Sequence, residues 1–141
     1  MAHKVLLAGG GTAGHIEPAL AVADALKTLQ SDITCEFLGT DGGLETLLVP
    51  KRGFRLRTIP KVVMPRAVKV QTVFFPLQLL RAFFSALKQL KEFDLLIGFG
   101  GYVSAPAYLA AFIKRIPIVI HEANAKPGLA NRLGSLFTNY L

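Results

Sequence analysis

Near the start of the chain an apolar run, Lys4–Ala8, breaks into Gly9-Gly10-Gly11-Thr12-Ala13-Gly14-His15. Pro18 then opens a helical pattern in which Leu20, Ala23, Leu26 and Leu29 share roughly one face. A short buried strand that ends on glycines and hands over to a helix is the first half of a β-α-β unit. The alternation repeats along the chain. Ile33–Leu38, Phe54–Ile59, Asp94–Ile97 and Pro117–Ile120 read as further strands. Leu44–Pro50, Pro76–Glu92, Val103–Lys114 and Gly128–Leu136 read as helices, the third of them interrupted early by Pro106. Pro60–Val70 is a basic loop, and Phe137–Leu141 looks like the start of another strand.

Repeated strand–helix–strand units with short loops imply an α/β fold: a Rossmann-like parallel sheet with helices on both faces, in one domain over 1–141. The expected strand order is the doubly wound 3-2-1-4-5. Ligands of such sheets bind beyond the C-terminal strand ends, near the switch point. Three loops lie at those ends: Gly9–Glu17, Gly98–Ser104 and His121–Pro127.

Composition narrows the classes. With 52% hydrophobic and 18% charged residues the chain can bury a core and is not disordered in character. Cys35 is the single cysteine and sits in an apolar run, as a buried thiol of a cytoplasmic protein would. Met1-Ala2-His3-Lys4 leads straight into a strand, which is not the pattern of a secretory signal. No apolar stretch reaches the roughly 18 residues that span a bilayer. The net charge of +7 is uneven: ten basic and no acidic residues lie between Glu45 and Glu92. A basic middle implies an anionic partner such as a membrane surface or a phosphorylated substrate. Nucleic acid is disfavoured, because no aromatic–basic interleaving of a known module is present.

Gly9-x-Gly11-x-x-Gly14 at a strand-to-helix turn lets backbone amides approach a phosphate. As a dinucleotide fingerprint it is weak, because the nearest acid for a ribose, Asp41, comes late. Position alone leaves His15 three roles: general base, phosphate contact or helix-end residue. The second loop, Gly98-Phe99-Gly100-Gly101, repeats the arrangement and adds the hydroxyls of Tyr102 and Ser104. The third carries His121, Glu122 and Asn124, with Asn131 and Arg132 beyond. Glu122 there can hold neighbouring loops by accepting backbone amides. No residues have metal-ligand spacing, so no metal or cofactor is expected.

The helix at 76–92 has an apolar arc of about 220°, more than the ~100° a sheet covers. One edge is therefore expected to be exposed: Leu77, Leu80 and Phe84, beside Arg81, Lys88 and Lys91, with Phe74 and Phe75 just before. Apolar side chains next to basic ones suit an anionic membrane surface; a second domain or a dimer partner is the other way to cover them.

The stretches GGGTAGHIEPALAVADAL, FLGTDGGLETLLVPKRG, GFGGYVSAPAYLAA and IPIVIHEANAKPGLANR together resemble the N-terminal domain of the MurG family, peptidoglycan transferases of glycosyltransferase family 28 type. The resemblance implies one half of a two-domain GT-B transferase with an acceptor-binding role. It implies transfer of N-acetylglucosamine from UDP-GlcNAc, a substrate rather than a cofactor, to the C4 hydroxyl of undecaprenyl-linked lipid I, with inversion. By matched motif His15 is the candidate base. Thr12, Ala13, Gly14 and Asn124 are donor contacts, and Gly11, Gly100, Gly101, Tyr102 and Ser104 hold the acceptor diphosphate. Glu122 has a supporting role. A peripheral location on the cytoplasmic face of the membrane follows too. Ala13 stands where the family commonly has glycine, so this residue is expected in an ordinary backbone region. The family's donor-binding C-terminal domain is not in this sequence, so these 141 residues alone are expected to be inactive. Other readings are a dinucleotide-binding oxidoreductase domain, which leaves the second and third loops without a task, and a non-catalytic membrane adaptor.

Overall fold

The computed structural model of the chain describes residues 3–63 and 73–141. Its elements are β1 (Lys4–Gly9), α1 (Ala13–Leu29), β2 (Thr34–Thr40), α2 (Glu45–Lys51), β3 (Arg55–Ile59), α3 (Phe75–Gln89), β4 (Leu95–Gly100), α4 (Ser104–Lys114), β5 (Ile118–Ile120) and α5 (Leu129–Gly134). A 3-10 turn, Leu90–Glu92, extends α3. The five strands are all parallel, in the order β3-β2-β1-β4-β5 expected from the sequence.

Strand alternation splits the core into two layers. Leu6 and Ala8 of β1 face the cluster built on α3 and α4, with Ala82, Ala86, Leu90, Ala107 and Tyr108. Val5 and Leu7 face α1 and α2, with Ile16, Leu20, Ala23 and Val49. Cys35 is buried in this second layer, and burial pushes its thiol up from the usual value. Burying these side chains is the main stabilising term, about 25 cal/mol per Å² of apolar area.

Three local expectations change. Helix α1 starts at Ala13, not Pro18, so Gly14 and His15 stand in its first turn. Pro18 lacks only the amide that would bond the Gly14 carbonyl, a gap near the helix end that tertiary packing tolerates. Pro106 does not interrupt α4: it is the third residue, where helix amides have no internal partner anyway. Phe137–Leu141 is not a strand. One backbone bond joins Ile120 N to Tyr140 O at 2.9 Å. The Thr138 hydroxyl, at 2.7 Å from the Ile118 carbonyl, takes a place a ladder partner would fill.

The basic middle is not one solvated patch. Arg52 pairs with Asp24 at 2.7 Å and Glu17 at 3.6 Å. Arg57 pairs with buried Glu36 at 2.6 Å and with Glu92 at 3.1 Å, fastening the end of α3 to the sheet edge. Arg66 and Lys69, in the basic loop, lie outside the described residues.

Candidate active site

Strands β1 and β4 are neighbours, and the helices that follow them leave on opposite faces. Their ends carry the two glycine loops. Between them the register slips: Ala8 pairs with Gly98, but Gly9 pairs with Gly100. Gly11, Gly100 and Gly101 have φ of 84°, 96° and 82°, which side chains rarely adopt. Gly101 also has no room: a Cβ there would stand 2.5 Å from the Gly10 carbonyl oxygen. The two loops therefore touch through glycine.

His15 lies on this contact. Its Nδ1 is 3.3 Å from the Gly10 carbonyl oxygen and 3.2 Å from the Thr12 hydroxyl. A carbonyl only accepts, so the bond to Gly10 is made in the tautomer with the proton on Nδ1, in which Nε2 keeps a free lone pair; the Thr12 hydroxyl can accept from or donate to Nδ1 and fits either tautomer. Nε2 faces Gly100, where a Cβ would meet it at 3.1 Å and would meet Asn131 Nδ2 at 3.5 Å. Glycine at this position keeps the imidazole and the second loop together.

Neither α1 nor α4 has a side-chain cap. At the head of α1 the amides of Ala13 and Gly14 are left for solvent or an anion, and the helix dipole favours the anion; at the head of α4 the Ser104 amide already donates to the Gly101 carbonyl at 3.2 Å and Pro106 has none, which leaves Ala105 as the free leading amide. Ala13 adopts ordinary helical backbone, as its side chain requires. Tyr102 is exposed beside the second loop.

Two of the expected phosphate contacts are engaged within the protein. The Ser104 side chain is fully buried, with Oγ 3.0 Å from the Ala8 carbonyl and 2.9 Å from the Gly100 carbonyl. Its single proton is committed to clamping β1 to β4, so it offers nothing to a ligand. The Gly11 amide donates to Glu45 Oε2 at 3.1 Å, so Gly11 contributes backbone shape rather than a free donor.

The third loop is organised by Glu122. Its carboxylate accepts from the Asn124 amide (2.8 Å), Asn124 Nδ2 (2.9 Å), Asn131 Nδ2 (2.9 Å) and the Gly128 amide (3.2 Å). Burial raises its carboxyl, but these bonds outweigh burial and hold it down at about 2. Asn131 is buried and accepts from the Tyr108 hydroxyl at 2.7 Å. Burial also drives the Tyr108 phenol far above its usual range. The chain Tyr108–Asn131–Glu122–Asn124 thus ties the core to the loop. His121 packs its ring 5.2 Å from Phe99 and supports the same edge. Among the described residues no three His, Cys, Asp or Glu gather as a metal site.

Sequence reasoning brought out His15, both glycine loops and Glu122. It missed Glu45 and Tyr108. The signal for Glu45 is the pair of nearby glycines, Gly39 and Gly43, which becomes informative only once the fold stacks them, with Gly10, on one carboxylate.

On α3, the exposed edge is where the arc placed it: Leu77, Leu80 and Phe84 are 47%, 49% and 59% exposed, beside exposed Arg81, Lys88 and Lys91. Phe74 is exposed as well. Phe75 is a correction: its ring packs against the core, because it opens the helix on the sheet side. An open groove between Phe84, Lys88 and Lys91 on one side and Ile113 and Lys114 on the other continues this face. No described helix is long and apolar enough to cross a membrane.

Comparison with known proteins agrees with this geometry. The family model described as glycosyltransferase family 28 N-terminal domain matches residues 5–140. The chain is 54% identical over 140 residues to the UDP-N-acetylglucosamine--N-acetylmuramyl-(pentapeptide) pyrophosphoryl-undecaprenol N-acetylglucosamine transferase of Thermobifida fusca, covering 98% of this chain and 37% of that protein. The crystal structure of Acinetobacter baumannii MurG superposes with a TM-score of 0.82 at 34% identity, over 97% of this chain and 40% of that one. The Streptomyces sp. SF2575 glycosyltransferase SsfS6 shares the fold, with a TM-score of 0.64 at 19% identity, over 94% of this chain and 43% of that one. The chain thus spans well under half the length of the relatives it matches. A doubly wound sheet with two glycine loops closing on one histidine, matched over nearly its whole length by the family model, belongs to glycosyltransferase family 28 as an N-terminal domain.

Proposed function

We propose that this domain is the acceptor-binding half of an inverting GT-B transferase that moves N-acetylglucosamine from UDP-GlcNAc to the C4 hydroxyl of lipid I. The observation that carries the reading is the position of His15, with Nδ1 engaged by the first loop and Nε2 open beside the second. In the reaction Nε2 takes the proton of the C4 hydroxyl, and the oxygen attacks C1 of the donor sugar. The C1–O bond to UDP breaks with its electron pair leaving on UDP, and the anomeric centre inverts. The leading amides of α1, with Thr12, Ala13 and Gly14, and Asn124 on the third loop face the donor. Gly100, Gly101 and Tyr102, with the head of α4, hold the acceptor diphosphate. A second domain supplies the remaining donor contacts.

The test is transfer of labelled sugar from UDP-GlcNAc to a soluble lipid I analogue by the full-length protein. Disaccharide product is expected from the full-length protein and none from the 141-residue chain alone. Absence of transfer, together with thermal stabilisation by NADH but not by UDP-GlcNAc, overturns the reading in favour of a dinucleotide domain.

We further propose that Phe74, Leu77, Leu80 and Phe84, with Arg81, Lys88 and Lys91, rest on the anionic cytoplasmic face of the membrane. Exposed apolar side chains flanked by exposed basic ones support this. The full-length protein is expected to sediment with phosphatidylglycerol vesicles and much less with phosphatidylcholine. The pair L80E/F84E is expected to weaken binding about tenfold or more, since each apolar side chain is worth on the order of 1 kcal/mol when half of it is buried. Equal binding of variant and parent refutes the membrane contact.

A further inference from the structure

Glu45 is the most deeply placed charge in the described structure, with no exposed surface, and the proposed reaction makes no direct use of it. Its Oε1 accepts from the Thr40 amide at 2.8 Å and the Thr40 hydroxyl at 2.9 Å. Its Oε2 accepts from the Gly11 amide at 3.1 Å. Among the described residues no Lys, Arg or His forms an ion pair with it. Burial raises its carboxyl, but the amides of Thr40, Glu45 itself and Gly11 and the Thr40 hydroxyl prevail and hold it below the usual value, so it is a buried anion. The site is shaped for it. A Cβ at Gly10 would come within 2.6 Å of Oε1, and Cβ atoms at Gly39 and Gly43 would also collide with the side chain.

A buried carboxylate without a cation is costly, and a mere link between two loops does not need one. Its direction is informative. The Gly11 N–H and the Gly10 C=O belong to one peptide group, which is planar and trans. They therefore point in opposite directions. A carboxylate that grips the N–H fixes the plane and aims the carbonyl the other way. That carbonyl is the one 3.3 Å from His15 Nδ1. Negative charge on the N–H also polarises the peptide and strengthens its oxygen as an acceptor. The result is a carboxylate–peptide–imidazole series in which no proton passes through the peptide.

We infer that Glu45 is a positioning residue that acts on His15 through the Gly10–Gly11 peptide, fixing the imidazole with Nδ1 protonated and Nε2 free. The inference rests on the reading of His15 as the base.

Glu45→Gln tests it. The amide keeps one oxygen, which the two Thr40 donors claim, and turns its NH₂ toward the Gly11 N–H. Donor then faces donor, and the peptide is released while the Thr40 side stays bound. In the full-length transferase, kcat for transfer to a lipid I analogue is expected to fall about 10- to 100-fold, by analogy with the loss when an outer partner of a metal-bound imidazole is removed. KM for both substrates should stay within about threefold, because Glu45 touches neither. In a His15→Ala background the same substitution should change kcat by less than about twofold, since a residue acting through His15 has nothing left to act on. Equal loss in both backgrounds, or no loss in either, overturns the inference and makes Glu45 a structural link. If His15→Ala itself leaves kcat within about threefold, the reading of His15 fails instead. Should Glu45→Gln not yield folded protein, Thr40→Val carries the same cycle. It removes one donor from Oε1, with a smaller loss that must also vanish without His15.

Discussion

His15→Ala in the full-length protein is expected to lower kcat for the proposed sugar transfer by about 10²- to 10⁴-fold, the usual contribution of a positioned general base. KM for UDP-GlcNAc and for the acceptor changes by less than about threefold. The split follows from the geometry. Nδ1 is already occupied by the Gly10 carbonyl and the Thr12 hydroxyl, so the ring's ground-state bonds are to the protein rather than to a phosphate. Removing the imidazole leaves the head of α1 and its free amides in place, and on the proposed reading these hold an anion. A residue that served as a phosphate contact would behave in the opposite way: KM would rise while kcat held. His15→Gln discriminates further. Its amide nitrogen can donate to Gly10, but its oxygen is far too weak a base to take the hydroxyl proton. Activity near the parent's in His15→Gln would show that hydrogen bonding, not proton removal, is what the position supplies. Steady-state kinetics of the two variants on one acceptor analogue settle which role holds.

The strand order was legible because right-handed β-α-β crossovers leave few arrangements once strands and helices alternate. His15 and the two glycine loops were legible for the same reason: order 3-2-1-4-5 brings the ends of β1 and β4 together. What remained hidden depends on partners far apart in sequence. Glu45 opens a short helix and resembles any acid at a helix start. Its role comes from Gly11, 34 residues away, and from the packing of three glycines. Ser104 was visible as a hydroxyl near the loop. That its proton is shared between the carbonyls of Ala8 and Gly100 is a fact of strand register, which a local pattern does not carry. Charge was misleading in a similar way. Arg52, Arg55 and Arg57 count as basic in composition, but acids from α1, β2 and the turn after α3 meet them in space. Phe75 illustrates the limit of helix arithmetic, since its ring turns to the sheet at the first turn while Phe74 stays exposed.

Gly101→Ala is expected to cost stability and activity together, and a paired variant separates the causes. At φ 82° an alanine pays about 1–2 kcal/mol for left-handed backbone. Its Cβ would also lie 2.5 Å from the Gly10 carbonyl oxygen, a backbone atom that cannot rotate away. Relieving that overlap adds about 1–3 kcal/mol. The sum, about 2–5 kcal/mol, lowers the melting temperature by roughly 10 °C for a domain of this size. Gly11→Ala has nearly the same φ, 84°, but nothing lies within 4 Å of its Cβ. It should show the conformational term alone, about 1–2 kcal/mol. The difference between the two melts therefore measures the contact between the loops. The same contact governs chemistry, because the oxygen that the new methyl group displaces is the acceptor of His15 Nδ1. Among molecules that remain folded, Gly101→Ala should lose kcat about tenfold or more at a temperature well below its own transition, on the scale of other lost imidazole partners. A Gly101→Ala protein that melts no lower than Gly11→Ala would mean that the loops part freely. In that case the closed approach of β1 and β4 would not be what holds His15 in place.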